Sequence, residues 1–264
     1  MQYEKIYFNK AVPNAYITTY VSELKQTKHD AILVLPGGGY GTVCSDREGH
    51  PIAMAFAARG VNAFVLEYTV TPNDPYLPLT EASLAIKFIK EHAEEYAIDP
   101  ERVFVVGFSA GGHLAATLGT MWNDTVLAER TGDLAGLNRP AGMLLCYAVI
   151  NPTGHYGSFY NLLGEHRDDP AYLHAFSADE RVSADTCPAF LVHTGEDECV
   201  PVEKNALVMA TALSKAGIPY EMHIYPKGPH GMALADRNTS CGNSAWIDAT
   251  YARWVDDSIV WMKR

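Results

Sequence analysis

The chain has 264 residues, enough for one large α/β domain or two small ones, and its 48% hydrophobic share excludes intrinsic disorder. Against 20 Lys and Arg stand 31 Asp and Glu, a formal charge of −11, with no basic cluster to neutralise phosphates, so nucleic acid is not expected as a partner. The start, Met-Gln-Tyr-Glu-Lys-Ile, lacks a basic stretch followed by an apolar one, so no secretory signal is expected. The five cysteines (Cys44, Cys146, Cys187, Cys199, Cys241) are odd in number and form no Cys-x-x-Cys, which favours reduced thiols and a cytoplasmic setting over disulfides or zinc.

In chain order, Tyr16–Val21 reads as an antiparallel strand at the sheet edge. Ala31–Leu35 is a short apolar run ended by Pro36 and three glycines, as suits a strand buried on both faces. Val61–Glu67 and Arg102–Val106 are two more. Between them Leu79, Ala82, Ile86, Ile89, Ala93 and Tyr96 step by three and four, the period of one helix face. Ala141–Val149 reads as a buried strand. The uncharged stretch 140–164 around it is broken by Gly142, Asn151, Pro152, Gly154 and Gly157, so it is no membrane span. Residues 151–187 form the one long irregular stretch, too small for a domain, and read as a lid or pocket insertion. Ala189–His193 and Tyr220–Tyr225 complete the strands. A helix over Ala206, Ala210 and Leu213 stops at Gly217, and a last helix runs through Ile247, Thr250, Trp254, Ser258 and Trp261. Alternating strands and helices imply a mostly parallel sheet covered on both faces, and no linker or repeat divides the chain, so 1–264 reads as a single α/β domain.

Gly107-Phe108-Ser109-Ala110-Gly111 follows a strand and precedes a helix. A serine on that sharp turn stands above the sheet edge, needs small neighbours two positions away, and faces the free N–H groups of the helix start. Leu35-Pro36-Gly37-Gly38-Gly39-Tyr40-Gly41 ends an earlier strand, and its glycines allow backbone N–H groups to face a substrate oxygen. It is no phosphate cradle, because neither Gly-Lys-Ser/Thr nor Gly-x-Gly-x-x-Gly occurs. Of ten histidines, His230 in Gly228-Pro229-His230-Gly231 lies in a loop after a strand, whereas His113 reads as packed and His223 as packed or solvated. Glu196, Asp197 and Glu198 follow the strand Ala189–His193. One of them can orient the histidine, and spacing alone does not choose among them.

These motifs resemble the α/β-hydrolase superfamily, and within it small bacterial serine esterases similar to acetyl-xylan and related carbohydrate esterases. The resemblance covers about Asp30 to the C-terminus. It includes Pro-Gly-Gly-Gly-Tyr at 36–40, Arg47-Glu48, Pro51-Ile52-Ala53, Asp99-Pro100-Glu101-Arg102-Val103, Asn161-Leu162-Leu163-Gly164 and Gly-Pro-His-Gly at 228–231. It implies an α/β-hydrolase fold and a Ser109, Asp197, His230 triad, Asp197 being four residues before the Pro of Val200-Pro201. It implies an oxyanion hole from the amides of Gly38, Gly39 and Ala110, although Pro36 stands where a His-Gly-Gly-Gly loop has its histidine. Tyr40, Arg47 and Phe108 are expected to line the substrate pocket, with pairing to a carboxylate as the alternative for Arg47.

The expected function is hydrolysis of short-chain acyl esters, acetyl above all, including esters on oligosaccharides, through an acyl-enzyme. No metal or organic cofactor is needed. The expected partner is a small-molecule ester or acylated oligosaccharide. A membrane is not expected, and a homo-oligomer is left open. The alternatives are a serine peptidase or lipase of the same fold and, from another class, an inactive ligand-binding homologue. A peptidase would carry a separate gating domain and an inactive homologue would lack a triad member. The sequence shows neither feature.

Overall fold

The structure is a computed structural model that describes residues 1–264. Eight strands form one sheet: β1 (Lys5–Ile6), β2 (Tyr16–Tyr20), β3 (His29–Leu35), β4 (Asn62–Glu67), β5 (Ile98–Phe108), β6 (Met143–Cys146), β7 (Ala189–Thr194) and β8 (Tyr220–Tyr225). Their spatial order is β1-β2-β4-β3-β5-β6-β7-β8. The pairs β1·β2 and β2·β4 are antiparallel, and every pair from β4 onward is parallel.

The sheet is buried on both faces because its central strands carry continuous apolar runs, Ala31–Leu35, Val103–Val106 and Met143–Cys146. The two-residue period of β3 sends Ala31, Leu33 and Leu35 into one core and Ile32 and Val34 into the other. The first core is closed by α2 (Leu77–Glu91), α3 (Ala110–Met121) and α7 (Ala206–Ala216), and the second by α1 (His50–Ala57) and α8 (Trp254–Met262). The stripe Leu79, Ala82, Ile86 and Ile89 of α2 faces the first core, as its spacing predicts. Helix α7 ends at Gly217 in the left-handed conformation, φ 73°. No helix is long and apolar enough to cross a membrane.

The structure departs from the sequence expectations in four places. The strand at 16–20 is not the sheet edge, because Lys5–Ile6 pairs outside it. The strand expected over 141–149 is only Met143–Cys146, because Tyr147 turns to positive φ (36°) and the chain leaves the sheet. The last helix starts at Trp254, not near Ile247, since Asp248 accepts the Thr250 and Tyr251 amides and holds a tighter turn before it. The stretch 151–187 contains two short helices, α5 (Tyr156–Leu163) and α6 (Pro170–Ala175), while α1 and α4 (Thr125–Thr131) were not foreseen.

Candidate active site

Ser109 sits between β5 and α3 with φ 52° and ψ −117°, a conformation a non-glycine residue rarely adopts. Its amide donates to the Cys146 carbonyl at 3.1 Å, and its own carbonyl accepts from His113 and Val149, each at 3.0 Å. Strand β6, the segment just after it and helix α3 therefore hold the strained turn. The flanking glycines allow its tightness: a Cβ on Gly107 would lie 2.1 Å from the Gly111 carbonyl oxygen, and one on Gly111 would lie 2.1 Å from that of Leu35.

The loop after β8 brings His230 over this turn. Its Nε2 lies 2.9 Å from Ser109 Oγ and its Nδ1 lies 2.7 Å from Asp197 Oδ2. A carboxylate can only accept, so Nδ1 carries the ring proton and Nε2 is free to accept from the serine hydroxyl. Asp197, just past β7, is 4% exposed. Its Oδ1 accepts the amides of Cys199 (3.1 Å) and Val200 (2.8 Å), and His193 Nε2 stands 3.5 Å from Oδ2. Burial alone would raise this carboxyl. The histidines His193 and His230 and the Val200 amide outweigh it and hold Asp197 ionised, well below the ordinary carboxylate range. Of the neighbouring acids, Glu196 caps the Gly228 amide at 3.2 Å and Glu198 is exposed, so neither reaches the imidazole.

The glycine loop after β3 turns back beside the nucleophile. The amides of Gly38 and Gly39 donate to no group of the chain, and Ala110 opens α3, where no preceding turn accepts its N–H. Gly37 brings this loop against Ser109, where a Cβ on Gly37 would lie 3.0 Å from the Ser109 Cβ. The loop's foundation is Glu48, 5% exposed. One Glu48 oxygen accepts the Gly37 amide at 2.8 Å and the other accepts the Tyr147 hydroxyl at 2.8 Å. That hydroxyl in turn accepts the Ala233 amide at 3.0 Å, three residues past His230. Burial and then the nearby Glu48 charge push the Tyr147 phenol up, so it stays a donor. One buried carboxylate therefore ties the glycine loop to the histidine loop.

The expected pocket residues are corrected. Phe108 is fully buried among Trp254 and Tyr147. Tyr40 is 1% exposed, and its hydroxyl is spent on His113 Nδ1 at 2.8 Å. Arg47 forms no ion pair with a carboxylate. It donates to the carbonyls of Gly231 (2.6 Å) and Thr239 (2.9 Å) and lies over the Trp246 ring, whose N–H donates to the His230 carbonyl at 2.9 Å. These groups brace the histidine loop. The expected packing of His113 does occur: it is 1% exposed, its Nε2 donates to the Phe176 carbonyl, and burial lowers its pKa to about 4.

Several contributors were not read from the sequence. Asn161 of α5 donates to the Gly39 carbonyl at 2.8 Å. His155, just ahead of α5, accepts on Nδ1 from Ser158 and is kept neutral by burial and then by His230 nearby. Asn161 lies in Asn161-Leu162-Leu163-Gly164 and Glu48 in Arg47-Glu48. Their role depends on contacts 122 and 11 residues away, which no local pattern encodes.

Comparison with known proteins finds relatives and similar folds. The BD-FAE family profile matches residues 17–212. The endo-1,4-beta-xylanase B of Butyrivibrio fibrisolvens is 37% identical over 249 residues, covering 91% of this chain and 37% of that protein. The acetylxylan esterase of Xylanibacter ruminicola is 31% identical over 209 residues, 77% of this chain and 41% of that protein. The chain thus spans about two fifths of the length of these two relatives. Among solved structures, an acetyl ester-xyloside bifunctional hydrolase from Caldicellulosiruptor lactoaceticus superposes with TM-score 0.82 at 34% identity, covering 99% of this chain and 95% of that one. A carboxylesterase from Lactobacillus plantarum gives TM-score 0.86 at 26% identity, covering 100% and 97%. With the strained serine, its histidine and the family match together, the chain belongs to the BD-FAE family and has the α/β-hydrolase fold.

Proposed function

We propose that the chain is a serine esterase that removes short acyl groups, acetyl above all, from a hydroxylated alcohol such as an oligosaccharide. The observation that carries this is the continuous chain Ser109 Oγ, His230, Asp197, with contacts of 2.9 Å and 2.7 Å. Ser109 Oγ attacks the ester carbonyl while His230 Nε2 takes its proton. Asp197, already ionised, stabilises the imidazolium. The carbonyl oxygen becomes an oxyanion held by the amides of Gly38, Gly39 and Ala110, worth about 3 kcal/mol per well-placed donor. Collapse breaks the C–O bond, and His230 returns the proton to the departing alcohol. Water then attacks the acyl-Ser109 with His230 again as base, which releases the carboxylic acid and restores the serine.

The alcohol is proposed from the relatives, whose names specify xylan chemistry, and from the polar character of 151–187. We read 1–264 as one catalytic domain in which 151–187 walls the pocket. A reducing, cytoplasmic setting suits the five free thiols. The test is a series of p-nitrophenyl esters below their aggregation limits. This reading expects kcat/KM to peak at acetyl or propionyl. A steady rise to octanoyl, as each buried methylene added about 0.8 kcal/mol, would instead mark a lipase.

A further inference from the structure

The geometry points to a sugar-binding subsite in the cavity between the loop after β4 and the turn that follows α5, which receives the alcohol part of the substrate. The inference rests on the esterase reading for which end of the substrate lies there. The cavity measures about 550 Å³, within the usual range for ligand pockets, and Asn73, Tyr160, Asn161, Glu165, His166 and Arg167 form much of its lining.

Two observations attach this cavity to the reaction centre. On one wall the Thr71 amide donates to the Tyr40 carbonyl at 2.8 Å. On the other, Asn161 donates to the Gly39 carbonyl at 2.8 Å. Both walls are therefore fastened to the glycine loop that carries the proposed oxyanion donors.

The lining decides the ligand class. An alkyl chain entering here would take Asn73, Glu165 and the open donors of Arg167 out of water and return no hydrogen bonds. A polyhydroxylated ring returns those hydrogen bonds. Glu165 and Arg167 contribute one charge of each sign, so neither an anion nor a cation is selected. Tyr160 is 49% exposed, with the Arg167 guanidinium 4.7 Å from its ring centre, and it offers an aromatic surface to the C–H face of a sugar. His166 is stacked on Tyr172 at 4.0 Å and 10° between planes, so that part of the rim is set before a ligand arrives. A neutral oligosaccharide meets all these conditions.

The test titrates unacetylated xylotetraose calorimetrically into the full-length wild type, Tyr160→Ala, Arg167→Met and, as a control on the distant face of α7, Lys215→Ala. Circular dichroism checks folding of each. The expected result is binding to wild type and control alike, weakened roughly tenfold in Tyr160→Ala and several-fold in Arg167→Met. Should Tyr160→Ala fail to fold, Arg167→Met carries the comparison alone. No binding to wild type, or equal binding to folded variants, overturns the subsite. A second arm measures kcat/KM on acetylated xylotetraose relative to p-nitrophenyl acetate, and this ratio is expected to fall in the same variants, chiefly through KM. Efficient deacetylation with an unmoved ratio overturns the subsite and leaves the esterase reading intact. Loss of binding in the variants, with no deacetylation by wild type, supports the cavity and overturns the reading that acetyl is removed from this alcohol.

Discussion

Beneath Ser109, the two supporting carboxylates, Glu48 and Asp197, are buried and paired. On the side of residues 151–187, the polar groups line an open cavity. Glu48 spends both oxygens on Gly37 and Tyr147, Asp197 accepts from His230 and two amides, and Arg47 fixes two carbonyls of the histidine loop. Across the glycine loop, Tyr156 and Tyr160 are half exposed on α5. The difference separates two tasks. Groups that stabilise charge must be preorganised away from water, where an unpaired partner is costly. Groups that recognise an alcohol keep free hydrogen-bonding capacity until it arrives.

The largest expected effect breaks the first region outright. Ser109→Ala and His230→Ala should each lower kcat by at least about 10⁴-fold, and the double variant should be no worse than either, because the groups act as a unit. Losses that multiply, measured by steady-state kinetics on p-nitrophenyl acetate, contradict a shared role. Asp197→Asn should cost about 10³- to 10⁴-fold, while Glu196→Gln and Glu198→Gln change kcat only a few-fold. A more damaging Glu→Gln change would move the orienting acid elsewhere.

Glu48→Gln sharpens the comparison at the next level. An amide can accept on only one atom, so either the Gly37 amide or the Tyr147 hydroxyl loses its partner in a buried place. Urea denaturation should show a loss of about 1–3 kcal/mol, and kcat should fall more than KM changes. Unchanged stability and kcat would remove Glu48 from the support of the glycine loop.

A smaller effect depends on pH. Burial lowers His113 from 6.5 to about 4 in the folded chain. Between those values the unfolded chain binds a proton that the folded chain refuses, so folding stability is full above about pH 6.5 and falls as pH drops toward 4. The contribution is at most about 3 kcal/mol. His113→Gln should flatten this part of the stability profile in denaturant titrations at several pH values. An unaltered slope would mean that another group carries it.

The sequence made the local features legible. Gly107 to Gly111 announced the serine turn, because the turn's tightness has to be written in small residues at fixed spacing. The runs 31–35 and 220–225 announced strands for the same reason: alternation and breakers act between neighbours. What stayed hidden depends on distance. Glu48 looks like any surface glutamate until the fold lays Tyr147 over it, 99 residues away in the chain. Tyr40 and Phe108 looked like pocket residues because they adjoin the motifs, but side chains next to a tight turn alternate in direction, and these two point into the cores. The region 151–187 read as irregular because its helices are short and interrupted by Gly154, Gly157 and Gly164, and their placement comes from contacts such as Asn161 to Gly39.

The central claim is that Ser109 carries the acyl group, and acid-quenched mass spectrometry tests it most directly. Wild type mixed with p-nitrophenyl acetate at stoichiometric concentration and quenched within the first turnover should carry one acetyl group, mapped by peptide digestion to Ser109. His230→Ala, which lacks the base, should carry far less. An acetyl group found on another residue, or turnover by Ser109→Ala at the wild-type rate, would contradict the account.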